Sequence, residues 1–521
     1  MKTKFLLFLS ALMLTATRAK ADDSGTIAGE DIAWNYVDAT KTLTITYTGS
    51  ASSKAMPDIE YSKDWDKTTV REVAEHVVIG DKISSIGNNA FRGFQKLQDV
   101  TFPATGFTGG FGSYCFYNCQ CLTAINIPST ATGAIGWLAF NACKALTAVT
   151  IPVGITTIDT DAFSSCTSLA TVTISAGSAL ATINLRAFNK CSALAAIHLE
   201  DCASLTTIGE DAFAYCTSLT SLTLPASVTS IGGGWVYGCS ALLYVDMSAI
   251  TKTDLVSESN FGSNKMFPYS AMYYLVYLPQ GNAKIERNNV VYYEESKWKC
   301  SMFSASDEHP VTVPREFTAA RCNYYRSLGA DGTYTICLPF NPTAETGVTY
   351  YKLSGVSGST LTFTEEAAPE PNKPYLITTT GTVSSFDTWK VGALVIPVTP
   401  ASMNTAVSGY KMVGTLRDIS RADAITLGAY ILQTGNIWQQ MTDAAAASSN
   451  IPSFRAYIVA DGGGARSLDM NLGQDNGVTA VENIRTIDRN GNEQWYDING
   501  RHISNPTKGL YIKNGRKVII K

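Results

Sequence analysis

DAFSSCTSLATVTI, residues 161–174, sets Phe163, Cys166 and Leu169 three positions apart and then places Val172 and Ile174 two apart. Spacing near three suits a tight helical turn with the three side chains on one side. Spacing of two suits a short strand with one face inward. The same phrase recurs. Aligned on its phenylalanine, the markers are Phe91, Phe116, Phe140, Phe163, Phe188, Phe213 and finally Val236, at intervals of 25, 24, 23, 25, 25 and 23 residues. Three positions after each marker stand Phe94, Cys119, Cys143, Cys166, Cys191, Cys216 and Cys239, then Leu97, Leu122, Leu146, Leu169, Leu194, Leu219 and Leu242. The strand column reads Val100, Ile125, Val149, Val172, Ile197, Leu222 and Val245. Proline ends several of these strands, at Pro103, Pro128, Pro152 and Pro225, where the missing N–H closes the ladder.

One such unit cannot cover its own apolar face, whereas stacked copies cover one another. At roughly 4.8 Å per stacked strand, the copies make a slab on the order of 30 Å long. The recurrent cysteine is then an inward plug, since free Cys behaves as a small hydrophobe and the first repeat replaces it with Phe94. The alternatives are a disulfide, a metal ligand or a nucleophile. Equivalent side chains in stacked copies point in parallel, which opposes the convergence that a disulfide needs.

With the period in hand, the chain resembles the BspA-like leucine-rich-repeat proteins of anaerobic bacteria. The likeness rests on SIGNNAFRGFQKL (85–97), AFNACKALTAVTIP (139–152), DAFSSCTSLATVTI (161–174) and DAFAYCTSLTSLTLP (211–225). It implies an exported or surface-displayed protein, several relatives being regarded as adhesins, and it brings no catalytic motif. The expected class is mainly β: a leucine-rich-repeat solenoid, then a β-sandwich-like domain and a small C-terminal β module.

The expected organisation starts with a secretory signal at 1–21, where Lys2 and Lys4 precede an apolar run and Ala19-Lys20-Ala21 forms a small-x-small cleavage site. An N-terminal cap follows at 22–80, with a hairpin pattern of Trp34 and Tyr36 against Leu43, Ile45 and Tyr47 around Asp38-Ala39-Thr40-Lys41. The repeats occupy 81–250, and a closing cap with strands at 273–278 and 290–292 takes 251–310. A β-sandwich-like or open-barrel domain fills 311–477, with strands at 333–340, 359–363, 374–378, 427–432 and 454–458. Residues 478–521 have turn signals at Asn499-Gly500 and Asn514-Gly515, and they resemble the sorting tails of exported proteins.

Composition narrows the function. Removing residues 1–21 takes away Lys2, Lys4, Arg18 and Lys20 and no acid, moving the formal net charge from −4 to −8. That sign opposes a broad nucleic-acid footprint, and no later stretch has the apolar length of a transmembrane segment. The four histidines, His76, His198, His309 and His502, form no metal-binding motif. Asp488 to Glu493 imitates the start of a calcium loop but lacks its sixth-position glycine, and Gly462-Gly463-Gly464 has no Lys-Ser or Lys-Thr after it. Cys300, Cys322 and Cys337 permit burial or one structural disulfide. Neither cofactor nor metal is expected.

What remains is the outward face of the repeat strands, two columns of small, hydroxyl and polar side chains. Its candidate ligand-binding residues are Thr150, Thr171, Thr173, His198, Ser221, Thr223, Tyr244 and Asp246. Against this stands the plain preference of Thr for strands, where hydroxyls pair with neighbours. The expected role is a non-enzymatic, adhesin-like interaction protein with an extracellular protein ligand. Glycan capture is the alternative, and a hydrolase sited in 311–477 a third.

Overall fold

The computed structural model describes residues 22–473, apart from 28, 61–63, 67, 263–264, 268–273, 342–345, 388–392, 434, 443–449, 463–464 and 466, together with the backbone of four strands between 495 and 520. The signal expected at 1–21 and the calcium-like stretch at 488–493 lie outside the described residues, as does most of the tail.

Residues 161–174 form a turn followed by the strand Thr171–Ile174, as the spacing predicts. The turn is not a helix, however. Only alternate amides close i−3 bonds: Ala162 to Asp159, Ser164 to Asp161 and Cys166 to Phe163. The amides between them, Asp161, Phe163 and Ser165, donate across to Leu185, Ala187 and Asn189 of the following coil. A helix would have kept every amide inside its own coil. The zigzag puts Asp161 and Ser165 at φ 54° and 63°, a left-handed conformation that costs a non-glycine residue roughly 1 kcal/mol. The cost recurs at Leu138 and Ala142, Arg186 and Lys190, and Asp211 and Tyr215. It is offset because each such turn satisfies buried amides that would otherwise be orphaned.

Each middle coil also has a second short strand that the periodicity did not announce. Thr132–Ile135, Gly154–Ile158, Thr182–Ile183, Thr207–Ile208 and Ser230–Ile231 stack in parallel. The first strand column includes Ala124–Ile125, Ala148–Ile151, Thr171–Ile174 and Ala196–Ile197, also parallel, with Val149 opposite Val172 and Val172 opposite Ile197. Two strand columns and one turn column thus enclose the core.

Along that core the marker phenylalanines stack ring on ring. Centroids are 5.2 Å apart from Phe116 to Phe140 and from Phe140 to Phe163, then 5.4 Å to Phe188 and 5.5 Å to Phe213, with planes within 8°. Tryptophans close both ends: Trp65 stacks on Phe91 at 6.2 Å, and Trp235 meets Phe213 edge-on at 6.5 Å. The cysteines are buried, as expected of a plug, and they do more than fill space. Each thiol donates to the carbonyl of the phenylalanine one coil back. Cys143 reaches Phe116 at 3.2 Å, Cys166 reaches Phe140 at 3.1 Å, and Cys191 and Cys216 reach Phe163 and Phe188 at 3.2 Å. Cys119 and Cys239 do the same at 3.2 Å and 3.1 Å. Phe94 opens the series where no earlier marker carbonyl needs a donor.

The N-terminal cap is the expected hairpin, Ile32–Val37 against Thr42–Tyr47, with Trp34 opposite Ile45. Thr42–Tyr47 then pairs in parallel with His76–Ile79, which leads into the first repeat strand Asp99–Thr101. At the other end the stacking outlasts the sequence period. Tyr244–Asp246 pairs in parallel with Leu275–Tyr277, and that strand with Val290–Glu294. The sheet continues through Lys297–Cys300, Phe317–Ala319 and Leu394–Ile396.

Beyond it a ten-stranded sheet curls so that its two halves share a core of Leu361, Phe363, Leu376, Met412, Tyr430 and Trp438. The strands Thr333–Cys337, Thr360–Glu365, Pro374–Thr379 and Arg455–Ala460 fall where the alternation put them. The strand expected at 427–432 is displaced. Ser420 caps a short helix Arg421–Thr426 by accepting the Asp423 amide, and the strand begins at Tyr430. An Ser-x-x-Asp start outweighs alternation there. Cys300, Cys322 and Cys337 are all buried. In the tail, the strands Gly509–Lys513 and Arg516–Ile520 pair antiparallel.

A half-buried clasp ties these layers. Arg455 forks onto Asp307 at 2.8 Å and 2.5 Å, and Tyr324 donates its hydroxyl to the same carboxylate. Burial opposes ionisation of Asp307, but the Arg455 and Tyr324 hydrogen bonds outweigh it and hold the carboxyl below the usual range. The clasp is therefore fully formed above about pH 4 and weakens only as pH falls through that lowered value.

Two outcomes are expected. Phe163→Ala, with stacked partners on both sides, lowers the unfolding free energy by about 3–5 kcal/mol in denaturant titration. Of the 12 cysteines, only Cys121 is exposed, so an aromatic disulfide reagent titrates one thiol rapidly in the native protein and the other eleven after guanidinium. Prompt reaction of several repeat cysteines in the native state contradicts the packing described.

Candidate functional site

The outward strand face is a strip built by register. Thr150 lies beside Thr173, and Ala148 beside Thr171, which lies beside Ala196. Because alternate residues point to opposite faces, Val149, Val172 and Ile197 enter the core while Thr150, Thr171, Thr173 and His198 are exposed. The parallel ladder therefore brings four of the candidate residues together on one bare surface. His198 places Nδ1 2.9 Å from Glu200 of its own coil. At the near end of the strip His76 and Asp99 lie 2.7 Å apart, on adjacent coils.

The hydroxyls divide into two sets. Thr123, Thr147 and Thr220, just before their strands, each donate to a carbonyl one coil back, at 3.3, 3.2 and 3.3 Å. These do what strand threonines do for the fold. By contrast, the side chains of Thr150, Thr171, Thr173, Ser221 and Thr223 have no hydrogen-bond partner among the described residues, so their hydroxyls are available to an outside ligand.

Towards the last repeat the strip is progressively roofed. Ser221 and Thr223 are half-buried, and Tyr244 packs against the second core. Asp246 is 7% exposed; its carboxylate accepts the Ser248 amide at 2.8 Å and meets Arg315 at 3.3 Å. Next in register, Leu275 and Tyr277 are fully covered. Tyr277 donates its hydroxyl to the Arg315 carbonyl at 2.6 Å, and Arg315 lies 5.1 Å above Trp298. The strip thus ends against a wall of Tyr244, Trp298 and Arg315. Sequence reasoning missed Trp298 and Arg315, which lie beyond the repeats; nothing in the period signals that a later strand folds back over the same face.

Chemistry is sparse here. Burial pushes the thiols of Cys143, Cys166, Cys191 and Cys216 well above the ordinary range, and that of Cys239 up to about 12. A nucleophile or metal ligand needs the thiolate, so these sulfurs suit neither role. Among the described residues no three His, Cys, Asp or Glu side chains converge as a metal site, and no helix is long and apolar enough to cross a membrane.

A solenoid of stacked strand-and-turn coils, each with an inward leucine and a plug residue, defines a leucine-rich-repeat protein. A family model described as "BspA type Leucine rich repeat region" matches residues 72–195 and 133–267, in six copies. Its repeat region is thus of the BspA type. No curated protein matches the chain. Among solved structures, a leucine rich cell surface protein from Faecalibacterium prausnitzii A2-165 is similar at 22% identity, covering 56% of this chain and 90% of its own, with TM-score 0.30. A leucine-rich repeat protein from Eubacterium ventriosum ATCC 27560 is similar at 16% identity, over 55% of this chain and 81% of its own, with TM-score 0.28. Another from Bacteroides ovatus ATCC 8483 has 16% identity, over 54% and 95%, with TM-score 0.21.

The division of hydroxyls sets a measurable contrast. Thr171→Val with Thr173→Val changes stability by less than about 0.5 kcal/mol, while Thr147→Val costs about 1 kcal/mol through its lost coil-to-coil bond. Asp246→Ala costs about 1–3 kcal/mol, because a half-buried Arg315 loses its carboxylate. Equilibrium denaturation of the three variants checks the ranking.

Proposed function

We propose that this chain is an exported, surface-displayed, non-enzymatic interaction protein whose strand strip binds a protein ligand in an adhesin-like way. The observation that carries the reading is the set of exposed hydroxyls at Thr150, Thr171 and Thr173 with no internal partner, beside the exposed His198. They lie on a rigid surface whose backbone spacing is set by the ladder. Preorganised donors and acceptors of this kind lose little entropy on binding. The wall of Tyr244, Trp298 and Arg315 bounds one end and supplies residue types that anchor protein interfaces. BspA-type repeats are typical of surface-exposed bacterial proteins, which supports the location, and the organisation predicted from the sequence provides the rest: a signal at 1–21, a β-sandwich-like domain at 311–477 and a tail at 478–521.

A binding screen of the mature chain against extracellular matrix proteins and soluble polysaccharides tests this. A saturable protein ligand is expected, and Thr150→Lys with Thr173→Lys should weaken it at least tenfold while leaving the unfolding transition unchanged. A ligand that binds both forms equally, or a polysaccharide as the sole ligand, removes the reading.

A further inference from the structure

The turn face carries two tyrosine pairs, one towards each end of the stack, and they differ in one instructive respect. In the first, Tyr114 and Tyr117 sit 5.5 Å apart at 62°. Arg92 of the preceding coil lays its guanidinium 4.8 Å from the Tyr114 centroid and 5.4 Å from that of Tyr117. In the second, Tyr215 and Tyr237 of consecutive coils sit 5.3 Å apart at 88°, and they are 45% and 39% exposed. Among the described residues no guanidinium or ammonium lies over this second pair. The columns say why. Tyr117 and Tyr237 both follow their marker residue by one position. One coil earlier that column holds Arg92 for the first and Ala214 for the second.

The neighbouring column repeats the pattern with carboxylates. Asp161, Arg186, Asp211 and Gly234 occupy one position in successive coils. Asp161 takes Arg186 at 2.9 Å. Asp211 then has only the glycine on its other side. Its Oδ1 lies 2.4 Å, and the Tyr237 Cβ 3.8 Å, from where a Gly234 Cβ would stand. The Asp211 carboxylate and the root of the Tyr237 side chain therefore meet above that glycine. Gly238 makes a second hollow, its φ of 72° and missing Cβ letting the Tyr215 ring come within 2.7 Å of where a Cβ would stand. Partial burial and then the neighbouring Glu210 raise the Asp211 carboxyl, against a weaker pull from Arg186. An aromatic pair and two carboxylates thus stand together, and Arg186, the cation acting on Asp211, is already bonded to Asp161.

We propose that the corner formed by Tyr215, Tyr237, Asp211 and Glu210 receives an arginine side chain of a protein partner. The first pair shows the geometry within this same chain: two tyrosine faces holding a guanidinium. The second adds the negative charge of Asp211 and Glu210, which a free cation needs. A planar guanidinium can stack on a ring and donate edge-on to a carboxylate at once, which a compact ammonium cannot. The surface is separate from the strand strip, so it acts as a second point of attachment on the same partner or on another.

The test uses the mature chain and a labelled hexa-arginine peptide in 0.15 M salt, with the neutral hexa-citrulline peptide as comparison. Saturable binding of the arginine peptide is expected, with no measurable binding of the citrulline one. Tyr215→Ala with Tyr237→Ala should weaken the arginine peptide about tenfold, the effect of roughly one lost cation–π contact. Tyr215→Phe with Tyr237→Phe should stay within about twofold, because the ring faces remain. Asp211→Asn should weaken it comparably to the alanine pair, and Thr150→Lys with Thr173→Lys should not weaken it. The alanine pair leaves net charge unaltered, so a loss localises the contact rather than reporting a general attraction to an acidic protein. Equal binding by the alanine pair, or equal binding of the citrulline peptide, overturns the proposal. So does a polysaccharide that needs these tyrosines when the arginine peptide does not. Failure here leaves the strand strip untouched, and failure of the strip leaves this corner standing.

Discussion

Everything in the repeat region follows from one constraint: each coil must repeat the backbone path of the last closely enough that every buried group meets its own copy. Phenylalanine then meets phenylalanine, with planes within 8° from Phe116 to Phe213. Each cysteine sulfur meets the carbonyl of the marker phenylalanine one coil back. The turn amides alternate between their own coil and the next. A side chain larger than cysteine would separate the coils there, and a purely apolar one would leave the carbonyl with a single donor, the amide three residues on. Cysteine is small enough, apolar enough and still a donor. Nearest-neighbour coupling of this kind makes a solenoid's stability a sum over interfaces, so a defect is felt most by the two coils beside it.

The same constraint makes the ends costly, and the structure handles each differently. At the start, an antiparallel hairpin completes the sheet and Trp65 covers Phe91, its indole N–H donating 2.6 Å to the Ala90 carbonyl. At the finish, the sheet continues while its outer face acquires a second core. Leu275 and Tyr277 are thereby buried on the face that is bare at Thr171. A strand buried on both faces cannot also present a ligand surface, which fixes where the strip must stop.

Much of this was legible in the sequence. The marker columns gave the stacking, the inward face and the burial of the cysteines, since those are properties of side-chain size and spacing. The second strand column was hidden because its residues, such as Thr182 and Ile183, make two-residue strands too short to alternate. The left-handed turn residues were hidden because their column mixes Asn89 and Gly234 with Tyr114, Leu138, Asp161, Arg186 and Asp211. Lateral hydrogen bonds, not local preference, decide that conformation. The thiol hydrogen bond was hidden for a similar reason: burial is readable from a column, whereas the partner lies one coil away. Of the candidate strip, Thr150, Thr171, Thr173 and His198 came together as the alternation implied. Asp246 is instead held by Arg315, a residue 69 positions later that no local pattern could supply.

Where the columns hold, they describe the fold; where they break, they describe what the fold leaves free to vary. A buried column cannot change without disturbing both neighbours, so its constancy within the chain carries little information about ligands. The exposed columns are under no such restraint. Arg92 becomes Ala214 beside a tyrosine, and Arg186 becomes Gly234 beside an aspartate. The column's cation is gone one coil further on while an aromatic or acidic neighbour stays, although Arg186 still acts on Asp211 from the coil before. Retaining the half that attracts and deleting the half that satisfies is what a binding surface requires, because only an unsatisfied group gains free energy from a partner. The hydroxyl strip obeys the same logic: Thr147 spends its donor on the previous coil, and Thr173, in the adjacent strand, keeps its own.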